Sequence, residues 1–372
     1  MKKIRVLHVN AGSSNFGGVS AICLNLFRYI DRDCITFDFL TPNITTYSDY
    51  KDEIRSMGGH IYNFHTDTTT ISGKIKFIQK LNAFLNQKKY DVVHVNSGVL
   101  LFNCIVAGCA SKLNNTSVFV HSHNNGGRNR IKEILSPLLK EYLIRHSDCL
   151  LACSNSAAEY MFPTRVLKDV TIINNGIDSE SFRFNKEIRE SVRKEEGWDN
   201  KFVIGHVGRF TNQKNHEYLI DIFKYAKKIR NNAVLILIGQ GELMPSIKEK
   251  AREYGLSESV FFLGQQKDMG KYYQAMDVFV LPSKMEGFGI VNLEAQSSGL
   301  KCVVSDVVPN EANVIGSMVK LSINDSPEKW AKEICDASED RDDYSEMIKS
   351  KGFDIRQSAR VLEKKYKAVC TK

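Results

Sequence analysis

The chain has 372 residues, 42% of them hydrophobic and 25% charged, with a formal net charge of +8. That length suits two domains, and the composition is that of an ordinary soluble globular protein. The positive charge is spread over both halves and no nucleic-acid motif accompanies it, so the balance fits anionic phosphates or an anionic membrane surface, with no nucleic acid as partner.

The nine cysteines are odd in number and form no C-x-x-C pair, which fits free, mostly buried thiols in a reducing cytosol. Lys2 and Lys3 precede an apolar stretch, as in a signal peptide, but that stretch alternates and stops at Asn10, so it reads as a strand. No run approaches the length of a membrane span. The expected location is cytoplasmic, or peripheral on the inner face of the cell membrane.

Ile4 to Val9 is the first predicted strand. The small, glycine-rich loop Ala11–Val19 follows, then a helix with Ile22, Leu26, Phe27 and Ile30 on one side. A glycine loop in this position can cradle phosphate, although it lacks the spacing of the dinucleotide fingerprint. Strands recur near Phe37–Leu40, Ile61–Phe64, Val92–Val95, Val118–His121, Leu150–Cys153 and Thr171–Ile173, with helical segments between them. This alternation predicts a parallel sheet.

Two segments of this half are basic and amphipathic. Lys74 to Lys89 has five lysines and no acid, with Ile75, Ile78, Leu81, Phe84 and Leu85 as its apolar side. Arg128, Arg130 and Lys132 precede a second apolar helix, Ile134–Ile144. Such segments are either solvated faces of core-packed helices or attachments to anionic lipid. His121 and His123, two apart at a strand end, face the same way. The spacing permits a metal pair, but no third ligand is evident, and a hydrogen-bonded strand-end histidine is the plainer alternative. Asn175-Gly176 is a strong turn signal, and the charged stretch Asn185–Asn200 reads as a surface helix or linker, placing a domain boundary near Asp178–Asn200.

The second half begins with the strand Phe202–Val207 and a loop, Gly208–Asn215, leading into a helix over His216–Ile229. Arg209 and Lys214 lie five residues apart on that loop, fixed positive charge beside a helix start, as a diphosphate requires. Strands follow at Ala233–Ile238, with the turn Gly239–Glu242 after it, and at Val260–Gly264. The stretch Asp277–Asp306 then reads as strand, loop, helix, strand. In it, Glu286 lies in a loop with Gly287 and Gly289, and Glu294 stands on a helix otherwise apolar nearly all round. A carboxylate so placed needs donors, either ligand hydroxyls or an Arg or Lys of the core. The final segment, Phe353–Val369, is amphipathic.

Glu-Gly-Phe-Gly followed by Glu-Ala after a strand ending Leu-Pro-Ser, together with Gly-Arg-Phe-x-x-x-Lys-Asn-His upstream, resembles the signatures of the family 4 retaining glycosyltransferases. The resemblance is most specific over residues 202–306. It implies the α/β GT-B fold, two Rossmann-like domains with parallel sheets facing each other across a cleft. Residues 1–180 would bind the acceptor, 181–352 the nucleotide-sugar, and 353–372 would form a helix crossing back to the first domain. It implies catalytic roles for Arg209, Lys214, Glu286 and His121, with Arg209 and Lys214 on the diphosphate, Glu286 on the donor sugar's hydroxyls and His121 against the reacting sugar. Glu294 would bond the ribose. Gly17 and Gly18 would lie near the donor phosphates, and Gly208, Gly241, Glu242, Leu263, Gly264, Gly287, Phe288 and Gly289 would complete the donor site. His123 and Asn175 fall on the acceptor side. The sequence departs from the family at Asn174 and Lys301, where prolines are usual. The implied function is a hexosyl-transferring enzyme using a UDP-sugar and a glycan or lipid-linked saccharide acceptor in cell-surface polysaccharide synthesis. It would need neither metal nor cofactor and would make peripheral contact with an anionic membrane. An epimerase or hydrolase on the same fold, or a non-catalytic nucleotide- or glycan-binding protein, are the alternatives.

Overall fold

Short apolar runs alternating with helical segments demand parallel pairing, since a parallel strand is reached only through a crossover. The computed structural model describes residues 3–11, 17–43, 47–123, 130–338 and 340–370, and of 130–134 the backbone alone. Gly12–Phe16 of the glycine loop, together with Asn124 and Arg128, lie outside the described residues. The chain divides into two units, Met1–Gly176 with Ile355–Lys372, and Ile177–Asp354.

The first unit holds β1 (Ile4–Asn10), β2 (Ile35–Thr41), β3 (Ile61–Asn63), β4 (Val92–Asn96), β5 (Ser117–Ser122), β6 (Cys149–Ala152) and β7 (Thr171–Ile172). Their order is β3-β2-β1-β4-β5-β6-β7, with parallel pairing throughout. Side chains alternate across a strand, and here the two faces differ in kind. Leu7, Val9, Val93, Val95, Val118 and Val120 join one apolar core with Phe77, Leu81 and Leu85 of the helix Ile71–Gln87. On the other face the register sets His8 beside His94, and Asn10, Asn96 and His121 in one row. The helix Ile355–Cys370 belongs to this unit and brings Tyr366 onto that polar face, its hydroxyl 2.5 Å from His94 Nδ1. Asn96 links the column, with Nδ2 3.0 Å from His8 Nδ1 and Oδ1 3.2 Å from His123 Nε2.

The second unit holds β8 (Phe202–Val207), β9 (Ala233–Ile238), β10 (Val260–Gly264), β11 (Val278–Leu281), β12 (Lys301–Ser305) and β13 (Met318–Leu321), in the order β10-β9-β8-β11-β12-β13, again parallel. The charged stretch after Asn185 is a helix, Lys186–Glu196, and its charges anchor it. Arg189 and Arg193 both pair with Asp277, whose Oδ2 also accepts from Val203 N–H at 2.6 Å. The strand Met318–Leu321 and the helices Met244–Glu253 and Pro327–Cys335 are not evident from sequence pattern. On Ile71–Gln87, Ile75 lies in solvent instead of on the apolar side, because the buried stripe runs through Phe77, Leu81 and Leu85. Lys301, where a proline is usual, opens β12 and pairs with Glu333 at 2.6 Å.

Removing one partner of a buried ion pair leaves the other charge uncompensated. Asp277→Ala, which strands two guanidinium groups, is expected to cost the second unit about 3–5 kcal/mol in urea unfolding. Burial sets a second expectation. It lowers His8 to about 3, and His123 and His206 to about 4, and it drives His94 and His121 far down as well. The folded values lie below the unfolded 6.5, so this stability is present above pH 6.5 and is lost as pH falls towards 4. Each such imidazole withdraws about 1.4 kcal/mol per pH unit across that window. Urea midpoints measured from pH 7.5 to 5 should therefore fall steeply, and a flat profile would contradict the neutral, buried column.

Candidate functional site

In the second unit, the loops after β8, β9 and β11 are tied to one another through backbone bonds. Gly208 N–H donates to Ile238 O at 2.9 Å, Phe210 N–H to Gln240 O at 3.0 Å, and Leu243 N–H to Phe210 O at 3.1 Å. Two glycines permit this approach. A Cβ on Gly239, which has φ +141°, would lie 2.1 Å from Gly208 O, and one on Gly241 would lie 2.5 Å from Phe210 O. The loop after β11 is fastened to the loop after β8 as well. Asn215 Nδ2 donates to Pro282 O at 3.1 Å, Lys284 N–H to Gln213 O at 2.8 Å, and Gln213 Nε2 to Met285 O at 2.9 Å.

This framework brings Lys214 and Glu286 together. Nζ of Lys214 lies 2.6 Å from Oε2 of Glu286, and the side chains are only 16% and 10% exposed. Ser283 Oγ donates to the same carboxylate oxygen at 3.2 Å. Gly289, at φ +74°, starts the helix Ile290–Ser297, and a Cβ there would sit 3.2 Å from Glu286 Cγ. Gly287 is half-buried, and Phe288 stacks on Phe353 with centroids 5.4 Å apart. Arg209 is half-buried on the loop that carries Lys214, while Glu242 is exposed at its turn.

Leu263 and Gly264 end β10 beside that turn. Gly264 O accepts from Gly239 N–H at 2.8 Å, and Leu263 O accepts from Gln266 Nε2 at 2.5 Å. Among the described residues Glu294 has no cation for a partner. Its partner is the Tyr273 hydroxyl, at 2.8 Å from Oε2. Burial lifts its carboxyl to about 7 in spite of that bond, although part of the residue's surface stays open.

Sequence reasoning missed His206. Its Nδ1 lies 2.8 Å from Val280 O and so carries the proton, which leaves Nε2 as an acceptor, 3.0 Å from the point a Cβ on Gly208 would occupy. Ser283 and Tyr273 were missed too. The signal for Ser283 was its place three residues before Glu286. Tyr273 gives none in the sequence.

In the first unit, His121 and His123 do face the same way, with ring centroids 4.0 Å apart. His94 stacks on His121 at 5.5 Å. Both ring nitrogens of His121 are buried without a hydrogen-bond partner among the described residues, a costly state for an N–H donor. Asn175 neighbours His123 and Cys153. Gly17 caps the helix Gly18–Tyr29, accepting from Ala21 N–H at 2.9 Å, and a Cβ on Gly18 would meet nothing within 4 Å among the described residues. His8, His94, Asn96 and Tyr366 were not singled out from sequence, although His8 and Asn10, like His94 and Asn96, share the two-residue spacing of His121 and His123. Among the described residues, no group of three or more His, Cys, Asp or Glu side chains could hold a metal ion.

Known proteins match both halves. Residues 16–181 match the family described as Glycosyltransferase Family 4, and residues 188–352 match Glycosyl transferases group 1. The provisionally named glycosyltransferase EpsF of Bacillus subtilis (strain 168) is 30% identical over 371 residues, covering 96% of this chain and 95% of that protein. The UDP-Gal:alpha-D-GlcNAc-diphosphoundecaprenol alpha-1,3-galactosyltransferase of Escherichia coli is 28% identical, covering 87% of this chain and 86% of its own length. The crystal structure of Anabaena Alr3699/HepE in complex with UDP and glucose shares the fold, with a TM-score of 0.69 at 16% identity over 99% of this chain and 97% of that one. The two parallel α/β units are those of the GT-B class, and the chain belongs to the glycosyltransferases of family 4 and group 1.

Proposed function

We propose that this glycosyltransferase moves a hexose from a UDP-sugar to a saccharide or lipid-linked saccharide, with retention at the anomeric carbon and without a metal. The observation that carries the reading is the mostly buried Lys214–Glu286 pair, held 2.6 Å apart by loops after β8 and β11, with Arg209 on the same loop as the lysine. UDP is favoured because it is the nucleotide in the Anabaena complexes and in the name of the Escherichia coli relative, whose named acceptor is a diphosphoundecaprenol-linked sugar.

In this reading Arg209 and Lys214 offset the charge that grows on the departing diphosphate, where fixed electrostatics act most strongly. Their cationic charge takes the place of a divalent ion. Glu286 orients the sugar hydroxyls. Glu294, poised near neutrality, can accept from or donate to a ribose hydroxyl. Gly208, Gly241, Glu242, Leu263, Gly264, Gly287, Phe288 and Gly289 shape the walls for base, diphosphate and sugar. In the first unit, an incoming hydroxyl would give His121, unpartnered among the described residues, the bond it lacks, with His123 and Asn175 on the acceptor side and Gly17 and Gly18 near the donor phosphates. Calorimetry with UDP, GDP, ADP and CMP in EDTA should show one diphosphate binding tightly without metal. Arg209→Ala or Lys214→Ala should lower turnover on the order of a hundredfold, and near-normal rates would defeat the assignment.

A lipid-linked acceptor would bring the enzyme to a membrane surface. Among the described residues no helix is long and apolar enough to cross one. We propose peripheral contact instead, through exposed apolar residues on basic helices of the first unit. Ile71 is 78% exposed and Leu138 is 71% exposed, and Lys76 and Lys80 are exposed on the helix that carries Ile71. Vesicles containing phosphatidylglycerol should sediment the enzyme at low salt and release it at high salt. Lys76→Gln should weaken that binding about fivefold. Equal sedimentation with neutral vesicles would remove the electrostatic part of the proposal.

A further inference from the structure

Lys214 and Glu286 neutralise each other across 2.6 Å. The two side chains are 16% and 10% exposed and 2.6 Å apart, and Ser283 Oγ is the other described donor to that carboxylate, at 3.2 Å. Gly289 lets the carboxylate's stem sit close against the start of the next helix. The acid therefore has little freedom to swing into water when its cation is drawn away. A diphosphate that takes Lys214 leaves Glu286 charged, largely buried and served by one hydroxyl, a costly arrangement. A sugar attached to that diphosphate supplies hydroxyl donors to the same carboxylate and removes the cost.

We propose that the Lys214–Glu286 pair makes the site discriminate between the complete sugar nucleotide and the bare nucleoside diphosphate, with Glu286 acting against the latter. The inference rests on the reading of Lys214 as a diphosphate ligand. Its effect is to weaken the hold on the product. After the sugar leaves, Glu286 loses its hydroxyl donors and competes for Lys214, so the nucleoside diphosphate departs more readily. Specificity of this kind comes from a penalty on the wrong ligand as much as from contacts with the right one.

The test is calorimetric binding of UDP to wild type, Glu286→Gln, Lys214→Ala and the double variant. Glu286→Gln keeps the shape of the side chain and removes its charge. It is expected to bind UDP on the order of tenfold more tightly than wild type, although it transfers sugar more slowly. Lys214→Ala should bind UDP more weakly than wild type, and adding Glu286→Gln to it should bring no gain, because the competition needs the lysine. Glu286→Ala, which removes the carboxylate altogether, should likewise tighten UDP. If both Glu286 variants bind UDP no better than wild type while Lys214→Ala still weakens binding, the diphosphate reading stands and the discrimination is wrong. If Lys214→Ala costs no UDP affinity even in the Glu286→Gln background, where nothing competes for the lysine, the diphosphate reading falls and takes the inference with it. A gain of equal size in the Lys214→Ala background would also overturn it, since the penalty would then arise from repulsion of the phosphates alone.

Discussion

A parallel strand reaches its neighbour only by a crossover, so every loop that leaves the carboxyl end of a sheet emerges on the same edge. In each unit the chain starts in the middle of the sheet, fills one side, and then crosses to the other. In the second unit that reversal falls between β8 and β11, and in the first between β1 and β4. Loops diverge at such a point and leave room between them. Lys214 follows β8 and Glu286 follows β11, so their ion pair spans the reversal in the second sheet. His8 and Asn10 on β1 meet His94 and Asn96 on β4 across the reversal in the first. The polar groups of interest gather where strand order leaves space for them.

This explains how far the sequence could be read. Strands buried on both faces are continuous apolar runs, and Phe202–Val207, Ala233–Ile238 and Val278–Leu281 show themselves with the bounds the structure gives them. The edge strand Met318–Leu321 is short and carries Lys320, so its pattern is diluted. The charges of Arg189 and Arg193 suggested a solvated helix because sequence gives no sign that Asp277, more than eighty residues away, collects them. The candidate site follows the same rule. Lys214 and Glu286 stand out because two cations on a loop that opens with a glycine, and an acid followed by Gly-Phe-Gly, are odd locally. Tyr273 and Tyr366 are ordinary aromatic residues on amphipathic helices, and their hydroxyls matter only through what folding sets opposite them. The histidine column could have been noticed from its two-residue spacing, but its alignment depends on the register of three strands.

Buried polarity is handled in two ways in this chain. In the first, burial removes the charge. The imidazoles remain neutral far below their usual range, and the face they line bonds through N–H, amide and hydroxyl groups. Such a face can exchange hydrogen bonds with a sugar and exerts no strong pull on phosphate. In the second, charge is kept and balanced, with Asp277 against two guanidinium groups and Lys214 against Glu286.

Glu294 shows where that balance reaches its limit. It has a phenol for a partner instead of a cation, and its carboxyl accordingly rises to about 7. A carboxylate with a cation within 3 Å can stay ionised when buried, and one bonded only by a neutral hydroxyl is drawn towards protonation. The two acids of one loop-and-helix segment, eight positions apart, thus differ in what balances them, a lysine for Glu286 and a phenol for Glu294. That difference suits Glu286 to act as a fixed acceptor whose charge must always be answered, by lysine or by ligand. Under the function proposed above, it suits Glu294 to bond a hydroxyl in either direction.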